Sequence, residues 1–303
     1  MKGLMNCSNR ILKQYFRDTG AIFFSLLSML IVIGLMVFFL GDMNITSLAN
    51  LLSTFPDRDS LADQEAARRI ILIWTCAGIL SINAVTVTLA VYSIMIKDKA
   101  SGKLASFYTS PAKRGVIVGG YILAAWTASV LICSLTLALT EGYCVLKGAQ
   151  AFSLLVHGKL FLMIMVNSFA YASIMYVGAA FAKSEGAWSG IGTVVGTLVG
   201  FLGGIYIPIG TLGKSVVAVM KCSPVIYGTA MFRSVMLQDA LTEAFDGIPQ
   251  QALTEYQEIM GISLTVANQT VSPQMEWLLL AGCGIVFLGI GILVLSYSKK
   301  TDR

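Results

Sequence analysis

Ile70–Ile96 reads IILIWTCAGILSINAVTVTLAVYSIMI, a run of 27 residues without a charged side chain. An α-helix rises about 1.5 Å per residue, so a run of this length is long enough to cross a hydrocarbon core about 30 Å thick. A backbone in lipid must satisfy its own hydrogen bonds, which favours a helix over an open strand. The run therefore predicts a membrane-spanning helix.

Five further uncharged runs of similar length occur along the chain. The six predicted spans cover approximately residues 20–41, 70–96, 115–140, 160–182, 187–209 and 277–298. Apolar residues make up 56% of the sequence and charged residues only 12%, whereas soluble domains carry about 25% charged residues. We therefore predict one all-α integral membrane domain over residues 1–303, with six transmembrane helices.

Basic residues are distributed unevenly between the two sides of this layout. The side with both termini, the loop after the second span and the turn after the fourth holds 13 basic and 4 acidic residues. The other side holds 8 basic and 12 acidic residues. Cytoplasmic loops carry an excess of Lys and Arg, so both termini are predicted to be cytoplasmic. The predicted location is the cell membrane, specifically the bacterial cytoplasmic membrane.

The N-terminal segment before the first span is amphipathic. Its polar face carries Arg10, Lys13 and Arg17, and its apolar face includes Ile11 and Tyr15. This pattern is typical of a helix that lies in the headgroup layer of the membrane. A short basic flank that only orients the first span is an equally good interpretation.

The segment between the fifth and sixth spans is predicted to have two parts. The uncharged run Cys222–Phe232 is too short to cross the membrane, so residues 210–232 are predicted to form an outer re-entrant segment. Residues 233–276 form an acidic outer loop. Within it, Pro249 and Gly261 predict the beginning and end of a helix.

Glycines recur at four-residue intervals in the fifth span, at Gly192, Gly196, Gly200 and Gly204. This spacing predicts a groove along one side of a helix, where another helix backbone can approach closely. The partner is either a second subunit or gate, or another helix of the same chain, and the spacing does not choose between them. Pro208 is predicted to end or kink this helix.

The sequence predicts no catalytic, cofactor or metal site in this chain. Paired carboxylates, a Ser/His/Asp set and a metal-ligand cluster are all missing from the spans and their flanks. The stretch Gly210–Ser215 resembles the end of a phosphate-binding loop, but its first glycine would have to stand at Pro208. An enzyme and a nucleic-acid-binding protein are therefore disfavoured.

The loop after the second span contains a short amphipathic pattern. Ala100, Leu104, Phe107 and Tyr108 stand at positions i, i+4, i+7 and i+8, and Pro111 follows. We predict a cytoplasmic coupling helix over residues 99–110. Its apolar face needs a cover, which is either the membrane or a groove on a cytosolic partner.

Three motifs in order resemble the membrane subunit of ABC-2 type exporters. The first motif lies in the cytoplasmic loop, the second ends the fifth span and the third follows it. They are Asp98-Lys99 with Gly102-Lys103-Leu104, Ser110-Pro111 and Lys113-Arg114; Gly203–Pro208; and Pro224–Tyr227 with Arg233. Asp98 departs from the family pattern, in which Glu is usual.

The resemblance implies an ATP-driven exporter. The largely apolar spans without buried charge favour an amphiphilic substrate, such as a drug, an antimicrobial peptide or a lipid-like molecule, over a small ion. The permease would form a homodimer or heterodimer in lipid with two copies of a separate cytosolic ATPase, which binds ATP and Mg²⁺. The residues implied in ATPase coupling are Asp98, Lys99, Gly102, Leu104, Phe107, Tyr108 and Pro111. Those implied in the dimer or gate are Gly192, Gly196, Gly200, Gly204, Tyr206 and Pro208.

Two other functions compete with this interpretation. One is a membrane sensor or scaffold that has the same fold and does not transport. The other is a secondary transporter, which usually carries an acid or base inside the membrane and internal repeats. Neither of those features is found in the six predicted spans.

Overall fold

The computed structural model describes residues 2–35, 41–56, 58–103, 114–266 and 269–301. The described helices are α1 (Lys2–Arg17), α2 (Thr19–Leu35), α3 (Gly41–Ser53), α4 (Ser60–Ala100), α5 (Arg114–Leu146), α6 (Leu154–Phe181), α7 (Glu185–Leu202), α8 (Lys214–Lys221), α9 (Pro224–Met236), α10 (Gln238–Ala244), α11 (Gln250–Ile259) and α12 (Pro273–Thr301). A 3₁₀ turn covers Ile209–Thr211, and β1 (Thr265–Val266) pairs antiparallel with β2 (Gln269–Thr270). The prediction of an all-α membrane protein is confirmed.

Helix α4 is the centre of the bundle. It has 41 residues and is capped at its N-terminus by Asp59, whose carboxylate accepts a hydrogen bond from the backbone N–H of Leu61. It packs against α2, α3, α5, α6, α7 and α9. In its most apolar 18-residue window 89% of the residues are buried, compared with 17% in α12. Helix α4 is therefore the core helix, and α12 lies at the periphery against α6.

Four helices in the described part of the chain are long and apolar enough to cross a membrane, namely α4, α5, α6 and α12. Helices α8 and α9 form a fifth apolar unit, bent by 89° at its break. A broken span and a re-entrant loop both have this geometry. The first predicted span is described only as far as Leu35, because residues 36–40 lie outside the described residues. Six spans, the re-entrant segment and cytoplasmic termini remain predictions.

The predicted end of the fifth span is wrong. Helix α7 ends at Leu202, before Pro208, because two glycines follow it. Gly204 adopts a left-handed backbone with φ +58°, and its N–H bonds to the Phe201 carbonyl at 2.9 Å. The Ile205 N–H bonds to the Gly200 carbonyl at 3.0 Å. Together these bonds form a Schellman motif, which closes a helix at glycine.

The predicted start of the coupling helix is also wrong. Lys99 and Ala100 belong to the last turn of α4, which is capped at Ser101. Gly102 then turns the chain with φ +72°, a conformation that glycine adopts without a steric cost. Residues 104–113, which contain most of the predicted helix, lie outside the described residues.

The predicted outer loop contains regular structure. Helix α11 begins after Pro249 and ends before Gly261, as predicted from those two residues. Gly261 has φ +63°, and the β1–β2 hairpin follows it before α12 begins at Pro273. The segment after α9 therefore forms a small folded cap of α10, α11 and the hairpin at one end of the bundle.

Candidate functional site

Asp98 joins three helices at one end of the bundle, which we call the Asp98 end. It lies in the last turn of α4, and its side chain is only 4% exposed. The Arg10 guanidinium of α1 donates to the Asp98 carboxylate at 2.6 Å and to the Tyr121 hydroxyl of α5 at 3.0 Å. The Tyr121 hydroxyl in turn donates to the same carboxylate oxygen at 2.5 Å. One oxygen of the carboxylate therefore accepts from both α1 and α5.

The electrostatics of this contact favour the charged pair. Burial disfavours the charge on Arg10, but the hydrogen bond from Arg10 to Asp98 and the neighbouring charges outweigh it and raise the pKa of Arg10. Burial also raises the pKa of the nearby Cys7 thiol. A buried carboxylate is costly without a partner, so the position of α1 depends on this contact.

Small residues let α1 lie directly on α5. A Cβ at Gly120 would come within 2.7 Å of Cys7, and a Cβ at Gly119 would come within 3.0 Å of Leu4. Ile11 and Tyr15 are buried on the same face of α1. The amphipathic pattern therefore faces the bundle in this chain, and the glycine pair holds Arg10 within reach of Asp98.

Lys99 connects the same end to a fourth helix. Its ammonium donates to the Ala182 carbonyl, the C-cap of α6, at 3.0 Å. A cation is favourable at a helix C-terminus because it meets unpaired carbonyls and the negative end of the dipole. Two residues later Ser184 caps the N-terminus of α7, and its side chain accepts a hydrogen bond from the Ala187 N–H at 3.1 Å. Lys99 therefore links α4 to the α6–α7 turn.

The predicted coupling residues are only partly described. Asp98 and Lys99 lie side by side and contact α1, α5 and α6, and Gly102 is exposed in the turn beyond them. The other four predicted coupling residues lie outside the described residues: Leu104, Phe107, Tyr108 and Pro111. Sequence reasoning missed Arg10 and Tyr121 as partners. The position of Asp98 next to an apolar span could have predicted such partners, because a buried carboxylate needs a cation or a hydrogen-bond donor.

The four glycines of the fifth span do not form one strip. A Cβ placed at Gly192 or Gly196 would meet no atom within 4 Å among the described residues other than its chain neighbours and the nearby backbone of α7, so this part of α7 is open. A Cβ at Gly200 would lie 2.2 Å from the Tyr206 ring of the same chain. Gly204 lies beyond the helix, in the Schellman turn. Packing within the chain therefore explains Gly200, and the open pair remains available to a partner.

The opposite end of the bundle, which we call the Arg233 end, is organised around a buried cation. Arg233 of α9 is 0% exposed. Its guanidinium donates to the Gly204 carbonyl at 2.9 Å and to the Met260 carbonyl at 3.2 Å. The guanidinium carbon lies 3.9 Å from the centre of the Trp74 ring, and the Trp74 indole N–H also donates to the Met260 carbonyl at 2.8 Å.

Arg233 therefore joins the end of α7, the end of α11 and the core helix α4. Within the described part of the chain it makes no ion pair; backbone carbonyls and an aromatic face surround the charge instead. The sequence pointed to Arg233 only as part of a resemblance. Its partners were missed because they are backbone atoms of turns far away in the chain.

Groups suited to metal binding are not found in the described ranges, where no set of three or more His, Cys, Asp or Glu side chains comes together. Some of the buried polar groups inside the bundle make hydrogen bonds that join two helices. The Asn83 amide, for example, donates to the Thr136 hydroxyl at 2.8 Å and joins α4 to α5.

Comparison with known families identifies the chain. The family model for the ABC-2 type transporter matches residues 3–237, from α1 to the end of α9, and so includes both the Asp98 end and Arg233. None of the curated proteins matches the chain. Membership of this family implies association with an ATP-binding partner. Because the match covers more than half of its length, the chain belongs to the ABC-2 type transporter family and is a membrane permease subunit.

Proposed function

We propose that this permease subunit belongs to an ATP-driven exporter and receives the force of a separate ATPase at its Asp98 end. The observation that carries the proposal is the set of contacts made by Asp98 and Lys99. These adjacent residues bond to α1, α5 and α6, and they stand immediately before the exposed turn at Gly102. A displacement of the loop beyond Gly102 would reach four helices through direct bonds.

The predicted orientation supports this role. The Asp98 end carries most of the basic residues, which the positive-inside rule assigns to the cytoplasm. An ATPase works in the cytoplasm, where ATP is present. Two ATPase copies, one on each permease of a dimer, complete the proposed assembly.

The proposed cargo is an amphiphilic molecule, such as a drug, an antimicrobial peptide or a lipid-like compound. The bundle interior is lined mainly by apolar side chains, and its polar groups are mostly small hydroxyl and amide groups. Such an interior favours molecules that carry apolar surface over small hydrated ions.

A paired substitution in the loop tests ATPase coupling. Leu104→Asp combined with Phe107→Ala removes the apolar face of the predicted coupling helix, and loss of one interface anchor often costs about 2 kcal/mol or more. We expect loss of co-purification with the ATPase, or ATP hydrolysis that no longer depends on the permease. Val266→Asp, an exposed apolar-to-acid change at the Arg233 end, is the matched control. Normal assembly and transport in the double variant would refute the coupling role.

We also propose that the open face of α7 at Gly192 and Gly196 contacts the second permease. Gly196→Leu adds bulk where this chain has open space, and overpacking an interface costs about 1–3 kcal/mol. The variant should fold normally and lose inter-subunit disulfide crosslinking from a cysteine placed at the exposed Thr193, in a background without native cysteines.

Gly200→Leu is the matched comparison, because its added side chain meets Tyr206 of the same chain. It should lower the stability of the single subunit. If Gly196→Leu crosslinks and transports like the parent protein, α7 does not form the dimer contact.

A further inference from the structure

A large cavity lies at the Arg233 end between α3, α4 and α5, with Glu243 of α10 at its edge. Its volume is about 940 Å³, at the upper end of the range typical of pockets that bind small ligands. None of the predicted coupling, dimer or gate residues lines it. The cavity is therefore separate from the surfaces assigned to the ATPase and to the second permease.

The mouth of the cavity carries balanced charges. Its charged lining residues are Arg68, Arg69, Lys147, Asp42, Glu65 and Glu243. Arg69 and Glu243 form an ion pair with each other. The other charged lining residues are two cations, Arg68 and Lys147, and two carboxylates, Asp42 and Glu65. The Lys147 ammonium lies 5.9 Å from the centre of the Tyr143 ring, which also lines the cavity. A rim with both signs of charge complements a zwitterion better than a ligand of one charge.

The deeper part of the cavity is mainly apolar. Between Arg68 and Cys76 the cavity follows α4 over eight residue steps, about 12 Å along the helix axis. Leu72 and Cys76 of α4 and Leu139 of α5 line this part. A charged mouth above an apolar interior fits an amphiphile whose headgroup lies at the membrane surface.

The side of the cavity formed by α5 faces the surroundings of the bundle. Leu131, Leu135 and Leu139 stand four residues apart on one face of α5, and their exposed fractions are 52%, 48% and 52%. Inside a membrane such a stripe faces lipid. A second, mainly apolar groove of about 710 Å³ adjoins the cavity and shares Leu139 and Tyr143 with it. The apolar interior of the cavity and this groove adjoin at Leu139, so an amphiphile with two acyl chains can place one chain in each.

We propose that this cavity binds a zwitterionic glycerophospholipid with a phosphate and a primary ammonium in its headgroup. The phosphate lies against Arg68 and Lys147, the ammonium lies against Asp42 and Glu65, and the acyl chains pass on either side of Leu139. The site goes beyond the proposed export function and requires only that the bundle lies in a membrane.

Lipid retention by the purified full-length protein tests the site. The delipidated protein is loaded separately with phosphatidylethanolamine, phosphatidylglycerol, diacylglycerol or free phosphoethanolamine, and native mass spectrometry measures the retained ligand. Phosphatidylethanolamine should be retained about tenfold more strongly than phosphatidylglycerol, because only its ammonium meets the carboxylates. Diacylglycerol lacks the headgroup and phosphoethanolamine lacks the chains, so both should be lost.

Three variants locate the binding. Arg68→Glu reverses one exposed cation of the rim, and Ala66→Trp fills the cavity. Each should reduce phosphatidylethanolamine retention about tenfold or more. Lys159→Glu reverses an exposed cation that does not line the cavity, and it should retain the lipid like the parent. If Arg68→Glu unfolds, as judged by its melting temperature, Lys147→Gln takes its place.

Several results would overturn the proposal. Equal retention of phosphatidylethanolamine and phosphatidylglycerol would remove the zwitterionic selectivity. Tight binding of diacylglycerol would indicate an apolar groove only, and tight binding of free phosphoethanolamine would indicate a site for a soluble ligand. Unchanged retention in both cavity variants would place the lipid elsewhere. ATPase co-purification should stay normal in Arg68→Glu, so failure of the export proposal and failure of this site are distinguishable.

Discussion

The two ends of the bundle hold a buried charged side chain in different ways. At the Asp98 end, the carboxylate meets the side chains of Arg10 and Tyr121, which belong to two other helices. At the Arg233 end, the guanidinium meets backbone carbonyls, including that of Gly204, and an indole ring. Side-chain contacts between helices can separate and re-form when helices shift, whereas carbonyls in closed turns are held by the backbone. The Asp98 end is therefore the adjustable end, and the Arg233 end is the fixed one.

The energetics of the two contacts differ for the same reason. The Arg10 side chain is 31% exposed, so water and salt replace part of the Asp98 interaction when it breaks. Arg233 is fully buried, so every donor or acceptor that loses its partner there stays without water. Substitutions at the Arg233 end should cost more stability, and substitutions at the Asp98 end should act more on function.

The largest effect is expected from Arg233→Met. Methionine occupies a similar volume but leaves the Gly204 carbonyl without its donor and removes the contact with Trp74. Each buried polar group left unpaired costs about 1–3 kcal/mol, and relief of the buried charge offsets part of this. We expect a net loss of about 3 kcal/mol, measured by denaturant unfolding in detergent.

Arg69→Met is the matched control for this change. Arg69 pairs with Glu243, whose side chain is 66% exposed, and a surface pair is worth about 0–1 kcal/mol. Equal stability losses at Arg233 and Arg69 would contradict the assignment of the Arg233 end as the fixed one.

An intermediate effect is expected from Asp98→Asn. Asparagine keeps the shape of the side chain but removes the charge that Arg10 meets, which weakens a hydrogen bond worth about 1.5–3 kcal/mol to a charged group. A double-mutant cycle with Arg10→Gln should give a coupling free energy of about 0.5–3 kcal/mol between the two residues. Additive effects of the two substitutions would show that the pair does not hold α1 on the bundle.

The smallest effect on stability is expected from Lys99→Met, which removes one hydrogen bond to the Ala182 carbonyl. The loss should be about 0.5–1.5 kcal/mol. Transport and permease-dependent ATP hydrolysis should fall more than this loss explains, because the link from α4 to the α6–α7 turn is broken. Lys97→Met, an exposed neighbour on the same helix, should leave both activities unchanged. Equal activities in the two variants would remove Lys99 from the coupling path.

The sequence predicted the helical membrane class because lipid leaves the backbone few alternatives to a helix. The uncharged runs predicted which parts of the helices can lie in hydrocarbon, but they did not predict where those helices begin and end. Helix α4 begins at Ser60 and continues to Ala100, beyond both ends of Ile70–Ile96, because charged residues in water also form good helix. The end of the fifth span was predicted at Pro208, because proline stops or kinks a helix. Gly203 and Gly204 instead end α7 earlier, at Leu202.

The candidate site was only partly predictable. Asp98 and Lys99 stood out through a local motif, and their neighbours in the sequence carried the resemblance. Their partners Arg10 and Tyr121 come from other helices, and only the packing of α1 on α5 brings them together. The glycine pattern on α7 also required the structure. Only the position of Tyr206 distinguishes Gly200, which it packs against, from the open positions Gly192 and Gly196.

The central claim is that the Asp98 end faces the cytoplasm and binds the ATPase. Single cysteines at the exposed positions Ser101 and Thr254, in a background without native cysteines, test it most directly with a membrane-impermeant thiol reagent. The Thr254 cysteine should react in intact cells. The Ser101 cysteine should react only after the membrane is opened, and a bound ATPase should then protect it. Reaction of the Ser101 cysteine in intact cells, or equal reaction with and without the ATPase, would contradict the account.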